Sequence, residues 1–235
     1  MQIKGIQKVS LIDYPGRVAS TFFLYGCNFR CGFCHNPSLV LTPDMTEISE
    51  ESALKYLEEN KRYLDGVCLT GGEPLLTLDI DFLKKIKDMG FEIKIDTNGS
   101  FPEKLKEFID AGLVDYIAMD IKGSKNIYPA LIGLKPDMDK IEQSIKLITN
   151  FKEYEFRTTI VSEYHDVPEV MKIRDWLLEV SGKQKLKAFY LQGFVPRPKE
   201  MLSASFDNIP ATTEQVLLDM KEKVKDSFDV CEIRK

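Results

Sequence analysis

Short apolar runs alternate with segments of helical periodicity along most of this chain. An apolar run of a few residues bounded by turn residues is typical of a buried strand. Six runs fit that pattern: residues 18–25, 67–69, 91–95, 114–119, 155–161 and 186–191. Each run is followed by a loop and then by apolar residues spaced three or four apart, which predicts a helix.

Capping residues bound the predicted helices. Ser49 is expected to cap the first helix, which runs past Leu64 until Gly66 closes it. Gly90 and Gly112 are expected to end the next two helices, because glycine readily takes the left-handed conformation found there. Three further helices are predicted, around residues 140–149, 167–180 and 213–225.

Strands that alternate with helices predict parallel βαβ units, in a barrel or in a doubly wound sheet. Six units are too few for a closed eight-stranded barrel. We therefore predict an α/β fold, an open six-stranded (β/α)6 partial barrel of the TIM type, in one domain over residues 1–235. Periodicity alone leaves a flat sheet open.

Composition narrows the class of protein. The chain has 235 residues, of which 43% are hydrophobic and 29% charged, as in an ordinary globular domain. Its net charge of −5 argues against a nucleic-acid partner. No apolar run reaches the roughly 20 residues of a membrane-spanning helix. The first residues lack the apolar segment of a signal peptide, so we expect a cytoplasmic protein without a membrane partner.

Three of the five cysteines crowd into one loop. Cys27, Cys31 and Cys34 follow the first predicted strand with the spacing C-x3-C-x2-C, which indicates metal binding rather than disulfides. Three thiolates suit a cubane iron–sulfur cluster and leave its fourth iron without a protein ligand. The alternative is a structural zinc site that adds His35. That residue directly follows Cys34, which is poor geometry for ligands of one tetrahedron.

Polar groups follow the next three predicted strands. These are Gly71-Gly72-Glu73-Pro74, Asp96-Thr97-Asn98-Gly99 and Met119-Asp120-Ile121-Lys122. Ligands bind at the carboxyl ends of parallel strands, so the convergence of four such loops predicts a binding site there. A turn role for Glu73 and helix capping by Thr97 and Asn98 are the plainer alternatives. Asp96 and Asp120 would need a cation or shared protons if they meet.

Together these residues resemble a known family. The spacing of Cys27, Cys31 and Cys34, with Phe33 before the third cysteine, resembles the radical S-adenosylmethionine (SAM) motif. The Gly-Gly-Glu-Pro segment resembles a second motif of that superfamily. Two segments that flank the cysteine motif are similar to those of glycyl-radical-enzyme activases. They are the lead-in to the motif at residues 10–17 (SLIDYPGR) and the Cys-His-Asn-Pro exit that begins with its third cysteine. The resemblance is strongest to activating proteins of anaerobic ribonucleoside-triphosphate reductase, with pyruvate formate-lyase activase as a relative.

The resemblance implies specific roles, and it runs from about residue 5 to residue 125. The three cysteines would hold a [4Fe–4S] cluster. SAM would then contact the residues Phe33, His35, Gly71, Gly72, Glu73, Thr97, Asn98, Asp120 and Lys122. A monovalent cation beside the SAM carboxylate would be held by Asp96, Thr97, Met119 and Asp120.

The resemblance also implies an activity. The enzyme would cleave SAM reductively and use the 5′-deoxyadenosyl radical to generate a glycyl radical on a partner. The expected partner is the anaerobic reductase, with flavodoxin or ferredoxin as electron donor. The alternatives are activation of a pyruvate formate-lyase-like enzyme and radical SAM chemistry on a small molecule. A further alternative, from another class, is a non-enzymatic zinc module. Iron and sulfide content would distinguish it.

Other residues fall outside this pattern. Gln192 stands where the lyase activase has a histidine, and a replacement role at the SAM ribose is one interpretation. Cys68 lies in a predicted strand and is expected to be a core residue, while Cys231 receives no role. His165 is expected to be a loop residue and Trp176 a core residue.

Overall fold

A computed structural model describes residues 1–42 and 46–234. The backbone forms two compact units built from interleaved stretches of sequence. The first comprises Met1–Asn28, Asn36–Thr97 and Glu103–Ile117, and the second comprises Phe29–His35, Asn98–Pro102 and Ala118–Lys235. One domain over residues 1–235, four of which lie outside the described residues, stays a prediction.

The described residues contain eight strands, and the strand order in the sheet follows the chain. The strands are β1 (Ile3–Ser10), β2 (Ala19–Leu24), β3 (Gly66–Gly71), β4 (Glu92–Thr97), β5 (Tyr116–Asp120), β6 (Tyr154–Ile160), β7 (Leu186–Gly193) and β8 (Phe228–Arg234). The predicted runs correspond to β2 through β7. The predicted number of strands was wrong, because β1 and β8 were missed. Both are first or last in the sheet, and their half-exposed sequences carry no apolar run.

The helices lie along the chain between β2 and β8. They are α1 (Ser38–Leu41), α2 (Glu50–Asn60), α3 (Ile80–Asp88), α4 (Pro102–Asp110), α5 (Tyr128–Ile132), α6 (Met138–Thr149), α7 (Val167–Ser181) and α8 (Glu214–Val224). Short 3₁₀ turns occur at Pro74–Leu76, Ala204–Phe206 and Lys225–Ser227. No helix among the described residues combines the length and the apolarity needed to cross a membrane.

Helix ends follow the predicted capping residues with one exception. Ser49 Oγ accepts a hydrogen bond from the backbone of Ser52, which confirms the predicted cap of α2. Gly90 and Gly112 follow α3 and α4 in the left-handed conformation, as predicted. The predicted end of α2 was wrong. The helix stops at Asn60, and Gly66 instead begins β3, where a Cβ would lie 2.8 Å from a backbone oxygen.

In the first unit, β1 is antiparallel to β2, while β2, β3 and β4 are parallel. Phe82 of α3 packs against Phe22 of β2, so that face of the sheet is apolar. Side chains alternate along a strand, so the opposite face carries the polar row Thr21, Cys68 and Lys94, which are partners in register. The unit thus has one apolar and one polar sheet face.

In the second unit, β6, β7 and β8 are parallel. Trp176 of α7 is buried against the edge of the Tyr128 ring of α5, which confirms the expected core role of Trp176. Buried side chains of α6, α7 and α8 make the rest of the helical layer. A long connection follows β7, and its buried Phe206 belongs to a cluster that includes Phe33.

Candidate active site

Two glycines at the end of β3, Gly71 and Gly72, allow the chain to pack against the backbone that leads to Cys27. Gly71 has a φ of +128°, and a Cβ there would lie 2.3 Å from the nitrogen of Leu24. A Cβ on Gly72 would lie 2.0 Å from the Gly26 oxygen and 3.2 Å from Cβ of Cys27. Only glycine fits at these positions. The backbone that these glycines allow to come close is therefore the segment that leads into the chain's own cysteine loop.

Glu73 links the ends of two strands. Its side chain is 1% exposed, and Oε1 accepts hydrogen bonds from Oγ1 of Thr97 at 2.8 Å and from the backbone N–H of Leu75 at 3.1 Å. The second of these caps the Pro74–Leu76 turn. Glu73 thus has the turn role that the sequence left open, while its contact with a ligand stays a prediction.

A buried lysine missed by sequence reasoning lies beside Asp96. Lys94 is 1% exposed and forms an ion pair with Asp96. Its Nζ also lies 3.7 Å from Sγ of Cys68 and 6.0 Å from the centroid of the Tyr116 ring. Cys68 is fully buried, as expected for a core residue. In the sequence, Lys94 is one of the charged residues, with Glu92 and Asp96, that alternate with apolar residues along β4.

Asp120 lies between two cations in the second unit. Arg157 donates from Nε to Oδ1 at 2.9 Å, and Lys122 donates from Nζ to Oδ2 at 3.2 Å. Burial opposes the charged form, but the charges of Arg157 and Lys122 outweigh it and hold the pKa of Asp120 below its usual range. Both aspartates named for the cation site thus have basic partners of their own.

The monovalent cation stays a prediction. Among the residues that the structure describes, no group of three or more His, Cys, Asp or Glu side chains is arranged to hold a metal ion. Met119, one of the predicted cation ligands, is fully buried. Its methyl carbon would lie 2.0 Å from a Cβ added at Gly99, so its side chain is packed against that turn.

Lys122 faces the cysteine loop. Its Nζ lies 5.9 Å from the centroid of the ring of Phe33, which directly precedes the third cysteine of the motif. Burial raises the pKa of the Cys31 thiol to about 11, and the positive charge of Lys122 acts in the opposite direction. Lys122, which the resemblance assigns to SAM binding, is therefore also the basic group that favours a thiolate at Cys31.

The cysteine loop is held by residues much later in the chain. The backbone N–H of Ser203 donates to the Gly32 oxygen at 3.0 Å, and a Cβ on Gly32 would lie 2.2 Å from the Phe206 ring. The N–H of Cys34 donates to the oxygen of Cys31 at 3.0 Å. These contacts turn the loop tightly, and the connection after β7 covers one side of it.

His35 is engaged with the same connection. Its Nε2 lies 3.1 Å from the carbonyl oxygen of Val195, and its ring stacks on Phe194 with 6.2 Å between the ring centroids. Because a carbonyl only accepts, the ring nitrogen donates to it. The predicted contact of His35 with SAM stays a prediction. A zinc site completed by His35 would have to break this hydrogen bond if Nε2 were the ligand.

The residues after β4 make local contacts. Thr97 donates to Glu73, as described above. The Oδ1 atom of Asn98 accepts from the N–H and the hydroxyl of Ser100, at 3.0 and 2.6 Å. This is an Asx turn, which agrees with the capping alternative for Asn98. A ligand role for either residue stays a prediction.

His165 has a larger structural role than the sequence suggested. It is 2% exposed, and its Nε2 lies 2.9 Å from the backbone oxygen of Lys122. Glu169, also buried, accepts from the N–H of Ser124 at 2.8 Å. The segment that carries Lys122 is thus held from the β6–α7 region. No sequence signal distinguishes this histidine from an exposed one, because its burial depends on the loop that it contacts.

The structure shows where Cys231 and Gln192 lie. Cys231 is buried on β8, and burial raises its pKa to about 11. Gln192 pairs in register with Thr159 and Arg234 in the β6–β7–β8 sheet. Its proposed contact with a ribose stays a prediction.

Comparison with known proteins identifies the family. The sequence model of the Radical SAM superfamily matches residues 21–170, which is more than half of the chain. The chain belongs to the radical SAM superfamily. The predicted α/β fold with a partial-barrel core is confirmed at the level of fold class.

Two relatives narrow the family. A Methanocaldococcus jannaschii protein, provisionally named a glycyl-radical enzyme activating enzyme, is 30% identical over 239 residues, which cover 99% of this chain and 95% of the relative. The pyruvate formate-lyase-activating enzyme of Clostridium pasteurianum is 30% identical over 226 residues, which cover 79% of this chain and 94% of the relative. The chain is therefore a radical SAM enzyme of the glycyl-radical-enzyme activating family.

Solved structures share the fold. Streptococcus suis SuiB bound to S-adenosylmethionine superposes with a TM-score of 0.63 at 14% identity, over 91% of this chain and 46% of SuiB. The chain thus spans about half the length of SuiB. A domain of the pyruvate-formate lyase-activating enzyme of Bacteroides vulgatus superposes with a TM-score of 0.53 at 18% identity, over 70% of this chain and 98% of that domain.

The residues present fit the cofactors of this superfamily, which are a [4Fe–4S] cluster and SAM. Within the described residues the five cysteines form no disulfide, and thiolates are the usual ligands of such a cluster. In the second unit, the positive charge of Lys122 offsets part of the effect of burial on the Cys31 thiol. In the first, Gly72 keeps the space beside Cys27 clear of a side chain. By residue type and spacing, the three thiols of the motif suit a thiolate-bound cluster.

Proposed function

We propose that this enzyme uses a cluster held by Cys27, Cys31 and Cys34, together with SAM, to generate a glycyl radical on a partner enzyme. The observation that carries the proposal is the match to a glycyl-radical enzyme activating enzyme over 99% of the chain. When bound, the cluster and SAM supply the one-electron chemistry that removes a hydrogen atom from the partner. The chain's own residues bind, orient and shield these groups.

Within each unit taken by itself, charged side chains suit an ammonium or a carboxylate group. In the first unit, Glu73 offers a buried carboxylate to an ammonium group, and Thr97 fixes its orientation. In the second unit, Lys122 and Arg157 offer positive charge to a carboxylate. Asp120 joins these two cations and so holds them in place.

Apolar side chains would keep water from the reacting groups. Phe33 is buried among aromatic and aliphatic residues in the second unit, and its ring also lies against Lys122. Phe194 and Phe206 enclose the same loop from the connection after β7. A dry surrounding strengthens the charge interactions just described and limits side reactions.

We propose the anaerobic ribonucleoside-triphosphate reductase as partner, with flavodoxin or ferredoxin as electron donor. The lead-in at residues 10–17 and the Cys-His-Asn-Pro exit support this choice. A pyruvate formate-lyase-like partner is the second candidate. It is favoured by the 30% identity to the Clostridium pasteurianum activase over 94% of that protein.

The test is anaerobic. The reconstituted enzyme is mixed with SAM, a reductant, and either a candidate reductase or a candidate lyase. 5′-Deoxyadenosine is then quantified, and the electron paramagnetic resonance spectrum is examined for a glycyl doublet. A doublet with one partner only would support activation and identify that partner. A fully loaded enzyme that yields neither deoxyadenosine nor a doublet with either partner would refute the proposal.

A matched pair of cysteine variants separates the cluster from general thiol effects. Cys31→Ala should abolish deoxyadenosine formation, because it removes a cluster ligand. Cys231→Ala removes a thiol that is buried on β8, and it should keep normal iron content and activity. Equal losses in the two variants would contradict the assignment of the cluster to the motif.

A further inference from the structure

Side chains from the first turn of α7 and the loop before it hold the loop after β5 at two points. The Nε2 atom of His165 donates to the backbone oxygen of Lys122 at 2.9 Å. The carboxylate of Glu169 accepts from the backbone N–H of Ser124 at 2.8 Å. The loop between these points therefore has a fixed path, and it carries the lysine that the proposed function assigns to a carboxylate of the ligand.

The side chains that hold this loop are shielded from water, since His165 and Glu169 are both buried. The Nδ1 atom of His165 lies 3.1 Å from the backbone nitrogen of Val161, directly after β6. The imidazole is therefore placed between two segments of backbone. A hydrogen bond to a carbonyl in such surroundings is not readily exchanged for one to water, so it restrains the backbone of Lys122.

The side chain of Lys122 is held at its other end as well. Its Nζ donates to Oδ2 of Asp120 at 3.2 Å and lies 5.9 Å from the centroid of the Phe33 ring. A lysine side chain is long and flexible, so a backbone that could move would allow the ammonium group many positions. With the backbone and the ammonium group both restrained, the side chain is ordered before a ligand binds. Binding then does not have to overcome the entropic cost of ordering it.

We propose that His165 is a positioning residue for SAM, because its hydrogen bond to the backbone oxygen of Lys122 holds this lysine ready for the SAM carboxylate. The inference rests on the proposed function, in which Lys122 offers positive charge to that carboxylate. His165 acts through Lys122 and is not itself a ligand-binding group. Its role depends on the donor at Nε2, whereas a purely structural role would need only a buried polar ring.

Two amide variants separate the two ring nitrogens. In H165Q the amide nitrogen can take the place of Nε2 and still donate to the oxygen of Lys122. In H165N the shorter amide lies near the place of Nδ1 and does not reach that oxygen. Wild type and both variants are reconstituted anaerobically, and iron and sulfide per chain, the thermal midpoint and the SAM dissociation constant by equilibrium dialysis are measured. H165N should bind SAM about fivefold more weakly than wild type, and H165Q should stay within about twofold of it.

Two further measurements test whether the effect passes through Lys122. The nucleoside 5′-methylthioadenosine lacks the amino-acid part of SAM, so its dissociation constant should be the same in H165N as in wild type. K122M should weaken SAM binding by itself, and the double variant H165N/K122M should show no additional loss, because the two residues act in series. V224A, which truncates a buried side chain of α8, is the stability control. It should lower the thermal midpoint and leave SAM affinity unchanged.

A purely structural role of His165 predicts a different pattern. Equal SAM affinities in H165N and H165Q, or an equal loss of SAM and methylthioadenosine binding in H165N, would overturn the inference. If H165N does not fold, H165Q carries the test: retained SAM affinity supports the inference, and a loss of about tenfold overturns it. A fully loaded wild type that binds no SAM refutes the proposed function itself, before any variant is compared.

Discussion

The imidazole of His165 donates a hydrogen bond from Nε2 to the backbone oxygen of Lys122, at 2.9 Å. Its Nδ1 atom lies 3.1 Å from the backbone nitrogen of Val161, and burial lowers the pKa of the ring, which favours the neutral form with its proton on Nε2. The histidine thus joins the segment after β6 to the segment that follows β5.

The protonation of His165 should make stability depend on pH. Burial lowers its pKa below the ordinary 6.5, so the unfolded chain binds a proton more readily than the folded one. Stability is therefore lost as the pH falls below 6.5 toward the folded-state pKa, with a slope of up to about 1.4 kcal/mol per pH unit. In His165→Gln this part of the slope should disappear. The measurement is urea unfolding between about pH 7 and pH 5.

His35 provides the control for that measurement. It is the other of the two histidines, and its pKa is also lowered, by burial and then by Arg197. Because His35 is only half-buried, His35→Gln should remove a smaller part of the slope. An unchanged slope in His165→Gln would show that the buried imidazole does not titrate in this range.

Gly72→Ala should impair cluster binding. The added methyl group would lie 2.0 Å from the Gly26 oxygen, so the backbone beside Cys27 must shift. We expect a loss of about 1–3 kcal/mol in the free energy of unfolding and a lower iron content after reconstitution. Gly5→Ala is the control, since its methyl group would meet the Phe23 side chain at an ordinary 3.6 Å. Normal iron content in Gly72→Ala would contradict the proposed close packing.

Glu73 and Thr97 should contribute unequally to SAM affinity. Glu73→Gln removes the charge offered to the ammonium group, and we expect a loss of about 10- to 100-fold. Thr97→Val removes only the hydroxyl that orients Glu73, so a loss of about fivefold is expected. Both losses are measured as the SAM dissociation constant of the reconstituted enzyme.

Thr158→Val is the matched control for Thr97→Val. Thr158 is equally buried, and its hydroxyl makes no hydrogen bond within the described part of the chain. Its replacement by valine should leave SAM affinity unchanged and should not lower stability. A weaker SAM affinity in Thr158→Val than in Thr97→Val would argue against the role of Thr97.

The lead-in at residues 10–17 should act on stability rather than on SAM. Tyr14 is buried beside Tyr116 and donates to Glu92, which Arg17 also binds through two nitrogens. Tyr14→Ala should therefore cost about 3–5 kcal/mol of unfolding free energy. Arg17→Met, at an exposed ion pair, should leave stability nearly unchanged. Neither variant should alter the dissociation constant of SAM. A shift in that constant for Arg17→Met would place the lead-in at the site.

Much of the fold could be predicted because local pattern and burial agree. The six apolar runs became β2 through β7, and Ser49 capped α2 because its side chain reaches the next turn without help from elsewhere. The strands β1 and β8 could not be predicted, since a strand at the edge of a sheet needs no continuous apolar sequence. Gly66 was misassigned because glycine serves both helix ends and close strand contacts.

The candidate site, like the fold, could be predicted from the sequence only in part. Cysteine spacing and the polar ends of strands marked Cys31, Asp120 and Lys122 correctly as neighbours within the second unit. Arg234 escaped prediction because its partner Glu155 lies 79 residues earlier in the chain, and only the fold brings the two together. Lys94 escaped prediction because a lysine in a strand does not show by itself that it is buried. Spacing along the chain reveals motifs, but it does not reveal which charged side chains the fold buries.

The packing of Phe206 on Gly32 has a consequence for biosynthesis. The N–H of Ser203 bonds to the Gly32 oxygen and Phe206 packs on Gly32, so the cysteine loop can make these contacts only after the segment around residue 206 has been synthesised. A chain that stops before Ser203 would lack both contacts, and its cysteine loop should hold a cluster less firmly.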